Sequence, residues 1–274
     1  MITTSTGHEL SDAQFRRIAA IAAEEAGLAI PEAKKSLVQS RIGKRMRTLE
    51  LADFAAYLAT LESDAGERHE LISALTTNVS HFYREKHHFE HLRSSVLQSV
   101  GNRLRLWSAG CSNGQEAYTL AMEVLRSIPD AASRDILILA SDIDEKVLAR
   151  AQAGLYRESE MGGVSPEDRK RFFLSSGDGD WSVRPELRAM VRFRKLNLNG
   201  SWPMRGVFDA ILCRNVVIYF SEETQMALWP RFRERLAPGG FLILGHSERI
   251  HPLPDSGFES VGVTTYRKLL AARQ

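Results

Sequence analysis

The stretch Leu104–Val124, LRLWSAGCSNGQEAYTLAMEV, constrains this chain more than any other. Leu104 to Trp107 is an apolar run that fits a buried strand. Ser108 to Gly114 is a turn of small and polar residues. From Gln115, apolar residues recur with helical spacing at Tyr118, Leu120, Ala121, Val124 and Leu125. Strand, glycine-bearing turn and helix N-terminus, in that order, open a doubly wound nucleotide-binding sheet. Gly110 and Gly114 allow positive φ or a close backbone approach to a ligand. The turn is neither GxGxxG nor a Walker loop, which argues against dinucleotide and P-loop sites. An ordinary βα turn is the competing reading. The next unit weighs against it: Ile136 to Ala140 reads as a second strand that ends in Ser-Asp-Ile-Asp. Asp142 falls at that strand's tip, where such folds hold ribose hydroxyls, with a helix cap as its alternative role. Asp144 suits the N-cap of the helix that includes Lys146 to Ala151.

At 274 residues the chain can form one large domain and one small one, and its 43% hydrophobic content supports a proper core. No apolar run approaches the roughly 18 residues needed to span a bilayer, and no signal-peptide pattern opens the sequence. The formal net charge of +2 names no partner. Cys111 and Cys213 make no disulfide framework and read as buried packing residues. A cytoplasmic globular protein in a reducing compartment is expected.

Residues 10 to about 75 carry helical periodicity without strand signals: a first helix up to Gly27, then Glu32–Leu49, Asp53–Leu61 and Ala65–Leu75. The second of these is lopsided. Lys34, Lys35, Arg41, Lys44, Arg45 and Arg47 occur with no acid between Ala33 and Leu49. Such a run is either a solvated face or the footprint of an acidic partner. Next comes TTNVSHFYREKHHFEH. His87 and His91 have the spacing of two ligands on one helix face, yet no third ligand is evident and Arg84 and Lys86 would oppose a cation; no metal is expected.

Residues 166 to about 196 break the alternation. Phe172-Phe173, GDGDWSV and VRFRKLNL read as short antiparallel strands, a small β insertion. The main sheet resumes with Phe208 to Cys213, which leads into Arg214-Asn215 on the same edge as Cys111 and Asp142. A helix over 222–236, Pro238-Gly239-Gly240 and the strand Phe241–Leu244 follow. Strands near Phe258–Val261 and Thr265–Leu269 then close the sheet as an antiparallel pair. That ending is unlike a dehydrogenase and like a class I S-adenosylmethionine-dependent methyltransferase. The expected architecture is α/β: a Rossmann-like doubly wound sheet with an antiparallel last strand over residues 76–274, the β insertion within it, and an all-helical domain over residues 1–75.

Four segments in order, LTTNVSHFYRE, LWSAGCSNGQEAYTLA, ASDIDEKVLARAQAGLY and FDAILCRNVVIYF with LAPGGFLILGHSE, resemble the chemotaxis receptor methyltransferases, the CheR family. The resemblance covers nearly the whole chain. It implies methyl transfer from S-adenosylmethionine, leaving S-adenosylhomocysteine, to glutamate carboxylates on chemoreceptor cytoplasmic helices. Asn78, Ser80 and Arg84 match polar positions that contact the cofactor and flank the acceptor, Arg84 being also a catalytic candidate. Glu116 and Asp142 match cofactor-binding acids, Asn197-Leu198 the pair against adenine, and Arg214-Asn215 the fourth strand's tip. Tyr219 matches a tyrosine near the transferred methyl. Gln115 and Ser80 depart from the family's usual acid and threonine, both mildly.

With that resemblance, the basic run from Lys34 to Arg47 becomes a docking face for the acidic receptor bundle. A regulatory protein at the active-site face is a further partner to consider. No nucleic acid, no membrane insertion and a monomer are expected. The turn Ser175–Trp181 looks shorter than in members that tether a receptor's C-terminal peptide, which favours an untethered enzyme. Two alternatives stay open: a methyltransferase for another substrate, and a scaffold that binds cofactor or receptor without turnover.

Overall fold

The computed structural model describes residues 9–270 apart from Thr77 and Asp178; the outermost residues of both expected domains, and those two motif positions, lie outside the described residues. The chain forms two compact units. One comprises the chain up to residue 77 with Tyr219–Thr224, the other Asn78–Ile218 with the chain from Gln225 onward.

A capping box opens the helical unit. The Ser11 side chain accepts the Gln14 N–H at 3.3 Å while the Gln14 side chain accepts the Ser11 N–H at 3.0 Å. Helix α1, Asp12–Ala26, then ends on Gly27 at φ 71°, a left-handed position that costs glycine little. A short turn, Glu32–Lys34, precedes α2, Lys35–Thr48. Helices α3, Phe54–Ser63, and α4, Ala65–Leu75, start on Asp53 and Asp64, which accept the Ala56 and Gly66 N–H groups.

Helix α2 buries only Val38, Ile42 and Met46, spaced four apart, against Phe15, Ile18, Tyr57, Leu61 and Leu71. Apart from exposed Leu37, the rest of its surface is mainly polar, which accounts for the run of cations. Several of them hold the unit together. Arg45 clamps the carboxylate of Glu67, Nε to Oε1 at 3.1 Å and Nη2 to Oε2 at 2.5 Å, and the Tyr57 hydroxyl donates to Oε1 at 2.9 Å. Burial and the Glu67 charge push the Tyr57 phenol well above its ordinary range. Arg41 donates to the carbonyls of Ala74, Leu75 and Thr76 at 2.8–3.0 Å, capping the end of α4. Lys35 pairs with Asp12 at 2.5 Å. Lys34, Lys44 and Arg47 are exposed.

The α/β unit begins with α5, His87–Ser95, and then β1, Arg103–Ala109; α6, Gln115–Ser127; β2, Asp135–Asp142; and α7, Glu145–Ala153. Next come β3, Leu155–Arg157; α8, Pro166–Phe172; β4, Phe173–Ser175; β5, Asp180–Val183; and α9, Pro185–Met190. Strands β6, Val191–Lys195, and β7, Phe208–Cys213, lead to α10, Glu222–Arg235. Strand β8, Leu236–Leu244, and the hairpin of β9, Phe258–Gly262, and β10, Thr265–Lys268, complete the sheet.

The seven-stranded sheet has the order β6-β2-β1-β7-β8-β10-β9. Its first five strands are parallel, and β10 runs antiparallel to both β8 and β9. Both faces of the central strands are covered, as a parallel sheet requires. On β1, Leu104 and Leu106 join the cluster that includes Tyr118, Leu120 and Ala121 of α6. Trp107 packs instead against Trp202, Phe208 and Phe232, with ring centroids 5.0, 5.3 and 5.6 Å away, and donates its indole N–H to Ser141 at 2.9 Å.

Two expectations need correction. The strand within VRFRKLNL does not belong to the insertion: Val191–Lys195 pairs parallel with Ile138–Asp142 at the edge of the main sheet. Val191 and Phe193 are both buried there, so the alternation suits a sheet edge as well as a hairpin. The small antiparallel sheet has the order β3-β5-β4 and begins earlier, at Leu155. Pro238-Gly239-Gly240, expected as a connection, lies inside β8, where the register to β7 shifts and Gly239 takes φ 72°.

Replacing Arg45 by Ala would leave Glu67 buried and unpaired, and should lower stability by about 3 kcal/mol. Arg47→Ala should change it by less than about 0.5 kcal/mol. Urea unfolding of the full chain separates the two; equal effects would reduce Arg45 to a surface cation.

Candidate functional site

The tips of β1, β2, β6 and β7 share one edge of the sheet, and the sequence places its polar exceptions there. After β1 the chain turns back sharply. The N–H groups of Gly110 and Cys111 both donate to the Ser141 carbonyl, at 2.8 and 2.9 Å, tying the turn to β2. Gly110 has φ 84°, and a Cβ there would lie 2.3 Å from Cγ2 of Val216. Gly114, at φ 87°, starts α6, and a Cβ there would lie 2.8 Å from that of Ala151. Both glycines are therefore sterically required. Ser112 is also left-handed, at φ 49°, and its N–H donates to Asp142 Oδ2 at 2.8 Å.

Asp142 sits at the tip of β2, as expected. Its other oxygen accepts the Asp144 N–H at 3.1 Å. Burial raises its pKa, and those backbone donors act against the rise. Two donors leave further lone pairs of the carboxylate for a ligand. Asp144 caps α7 through the Lys146 N–H at 2.9 Å, and its second oxygen accepts the Asn78 amide at 3.0 Å. Asn78 also receives the Ser112 hydroxyl on its carbonyl, at 3.3 Å, and Ser80 is half-buried nearby in sequence. The Leu196 N–H donates to the Asp142 carbonyl at 2.9 Å, which brings the end of β6 beside the acid. Asn197 forms a local turn with the Asn199 N–H, and buried Leu198 offers its carbonyl to Trp202 and Arg231.

Glu116 and Arg214 meet as an ion pair at 2.9 Å, and Ser108 donates to the other Glu116 oxygen at 2.6 Å. Burial raises the Glu116 pKa while Arg214 opposes the rise. The Arg214 guanidinium also donates to the Arg84 carbonyl and lies 3.4 Å from Glu85. Arg84 itself is partly exposed and donates to the Val79 carbonyl at 3.0 Å. Tyr219 groups with the helical unit: its carbonyl accepts the Ala29 N–H at 2.8 Å, and the Lys34 ammonium lies 5.8 Å from its ring centroid. Cys111 and Cys213 are free and fully buried, and burial pushes both thiols well above their usual range.

One residue without a role in the sequence reading organises this edge. Glu248, 3% exposed, accepts backbone N–H groups from Asn215 at 2.8 Å, Val216 at 2.8 Å, Ile218 at 3.2 Å and Gly245 at 2.6 Å. Asn215 is held left-handed, at φ 58°, and a Cβ on Gly245 would lie 2.6 Å from its amide nitrogen. The only signal in the sequence was an acid three residues past the glycine that ends an apolar strand.

Asp142 at the tip of β2, with Asn197 and buried Leu198 in the turn that follows β6, offers a hydrogen-bond acceptor beside an apolar wall, a set that fits an adenosyl group. Together with the parallel sheet and its antiparallel end, this edge defines an S-adenosylmethionine-dependent methyltransferase. Residues 78–267 match the CheR methyltransferase SAM binding domain, and residues 13–76 match the CheR methyltransferase all-alpha domain. A probable chemotaxis protein methyltransferase of Rhizobium etli is 46% identical over 254 residues, spanning 89% of this chain and 95% of that one. Chemotaxis protein methyltransferases of Klebsiella aerogenes and Escherichia coli are each 40% identical over 263 residues, 94% of this chain and 90% and 91% of theirs. The chain belongs to the CheR methyltransferase family, and its cofactor is S-adenosylmethionine.

Glu248→Gln puts an amide donor against N–H groups that need an acceptor. It should weaken S-adenosylhomocysteine binding about tenfold or more, equivalent to about 1.4 kcal/mol, by titration calorimetry. Unchanged affinity would mean the strand tips hold their shape without this carboxylate.

Proposed function

We propose that this enzyme esterifies glutamate side chains on the cytoplasmic helices of chemoreceptors, working as a monomer in the cytoplasm. The observation that carries this reading is the 40–46% identity to chemotaxis protein methyltransferases along nearly the full length of both chains. Among the described residues no helix is long and apolar enough to cross a membrane, which suits an enzyme that meets its receptors at their cytoplasmic ends.

The cofactor, when bound, supplies a methyl group made electrophilic by its sulfonium. A glutamate carboxylate, with an ordinary pKa of about 4.3, is already the nucleophile at neutral pH and needs no general base. The protein's task is then to hold the acceptor and exclude water, work that can supply roughly 7–11 kcal/mol of a barrier. Arg84 is the candidate to orient the acceptor carboxylate, because its guanidinium is partly exposed while it donates to the Val79 carbonyl and lies 3.9 Å from Glu85. Arg214 is 2% exposed and committed to Glu116, so its role is to fix the site's walls. Tyr219 is proposed to shape the methyl pocket. Asn78, Ser80, Glu116, Asp142, Asn197, Leu198, Arg214 and Asn215 are proposed to line or support the cofactor site.

Receptor capture is assigned to α2 and the short turn before it. With Arg41, Arg45 and Lys35 engaged within the helical unit, the cations left for an acidic bundle are Lys34, Lys44 and Arg47. The short turn between β4 and β5 favours capture without a peptide tether.

Arg84→Ala should slow methyl transfer to a receptor cytoplasmic domain by about 100-fold or more, the cost of losing one oriented donor. Radiolabelled cofactor and base-released methanol provide the readout, and S-adenosylhomocysteine affinity should stay nearly constant. Full activity would remove Arg84 from the acceptor site. Base-stable label would point to another acceptor.

Lys44→Glu combined with Arg47→Glu should raise the KM for receptor several-fold at low salt, and added salt should shrink the difference from wild type. A KM that ignores both charge and salt would make α2 a merely solvated face.

A further inference from the structure

We infer that Glu85, His87 and His88 form a binding site for a divalent transition metal of the Zn2+ type. It lies at the start of α5, behind the arginine of the cofactor edge. His88 is completely buried. Its Nε2 lies 2.9 Å from the Thr264 hydroxyl oxygen and 3.2 Å from the Val263 carbonyl. The Thr264 hydroxyl already donates to the Leu244 carbonyl at 2.9 Å, so both neighbours of Nε2 are acceptors. The imidazole therefore carries its proton on Nε2, and Nδ1 presents a lone pair.

That lone pair faces Glu85 Oε2 at 3.4 Å, and both atoms are buried without a hydrogen-bond partner. Oε2 has the Arg214 guanidinium at 3.4 Å, whereas Nδ1 has no donor, and a cation between the two acceptors would satisfy both. A hydrogen bond would close the gap to about 2.9 Å. Two ligands placed about 2.0–2.1 Å from a common tetrahedral zinc are instead about 3.3–3.4 Å apart. The observed 3.4 Å matches the spacing of two ligands on one metal.

The third ligand is exposed His87. One coordinating atom from each of Glu85, His87 and His88 lies within 4.8 Å of the others. Two histidines and one carboxylate, with the exposed side open to water, make a donor set for a borderline metal. The outer shell is also in place: His246 Nδ1 lies 3.2 Å from Glu85 Oε1, leaving Oε2 for the metal. Two arginines face Glu85: Arg214 lies 3.4 Å from Oε2, with Glu116 its closer partner at 2.9 Å, and Arg84 lies 3.9 Å from Oε1. The pair suggested by sequence spacing is not the site, because His91 packs edge-on to Phe241 with ring centroids 5.1 Å apart.

The site goes beyond the methyl-transfer reading and does not rest on it. It shares Glu85 with Arg214, so an occupied site competes for the carboxylate that faces that arginine. Metal is then expected to weaken cofactor binding without touching the cofactor.

The test uses the full chain stripped with a chelator and titrated with Zn2+ or Co2+ alone. One equivalent should bind, and Co2+ should give the intense visible absorption of a tetrahedral site. His87→Gln, an exposed change that spares the fold, and Glu85→Gln should each weaken metal binding by more than about tenfold, the loss that even an outer-shell partner can cause. His69→Gln, remote in the helical unit, should not. Zn2+ should lower S-adenosylhomocysteine affinity in wild type and not in His87→Gln. Equal metal affinity in wild type and His87→Gln would overturn the site. An unchanged S-adenosylhomocysteine affinity with metal bound would overturn its coupling to Arg214.

Discussion

The edge formed by the strand tips depends on one buried carboxylate. A parallel sheet delivers strand tips to a common line but does not shape the loops that leave them, and backbone N–H groups there must find acceptors. Glu248 supplies two oxygens to four of them, three after β7 and one after β8. Burial raises its pKa, and the four donors counter that, so the loops hold the charge as much as the charge holds the loops. The consequences propagate: Asn215 is locked left-handed, Val216 is pressed toward Gly110, and the first turn can accept only glycine at that point. Glu116 and Arg214 build the adjoining wall by the same logic, pairing a buried acid with a buried base.

What could be read from the residues was local. The turn around Gly110 and Gly114, Asp142 at a strand tip and the Asp144 cap each follow from chemistry within a few residues, and all are found where expected. Glu248 was not legible because three of its four donors lie 30 to 33 residues away, and an acid near a strand end looks the same whether it meets water or four amides. Strand β6 was misassigned for a related reason: alternating Val191 and Phe193 specify a half-buried strand but not its partner. The tertiary register with β2 decided it.

The basic helix shows how a charge run conceals division of labour. By sequence its six cations form one stripe. Folded, Arg45 neutralises a buried acid, Arg41 gathers three carbonyls at the end of a neighbouring helix, and Lys35 closes onto the start of α1. A bidentate fork suits Arg45 on its carboxylate, whereas Arg41 reaches its three carbonyls through Nη1. The exposed remainder is free to vary with whatever the helix meets.

The three-stranded sheet lies in the connection between β2 and β6, which are neighbours in the main sheet. Its inner end is pinned: Tyr156 and Phe173 are buried against Phe82, and the Tyr156 hydroxyl donates to the Asn113 carbonyl within the glycine turn. Its outer end, the hairpin between β4 and β5, turns through Gly177 and Gly179, where an added Cβ would meet nothing within 4 Å. Lengthening a loop at such a tip costs only about 0.6 kcal/mol per doubling. Evolution can therefore rewrite that tip while the register of β2 and β6, and the turn that Tyr156 steadies, stay fixed. The insertion is an appendage whose root belongs to the turn after β1 and whose tip is open to innovation.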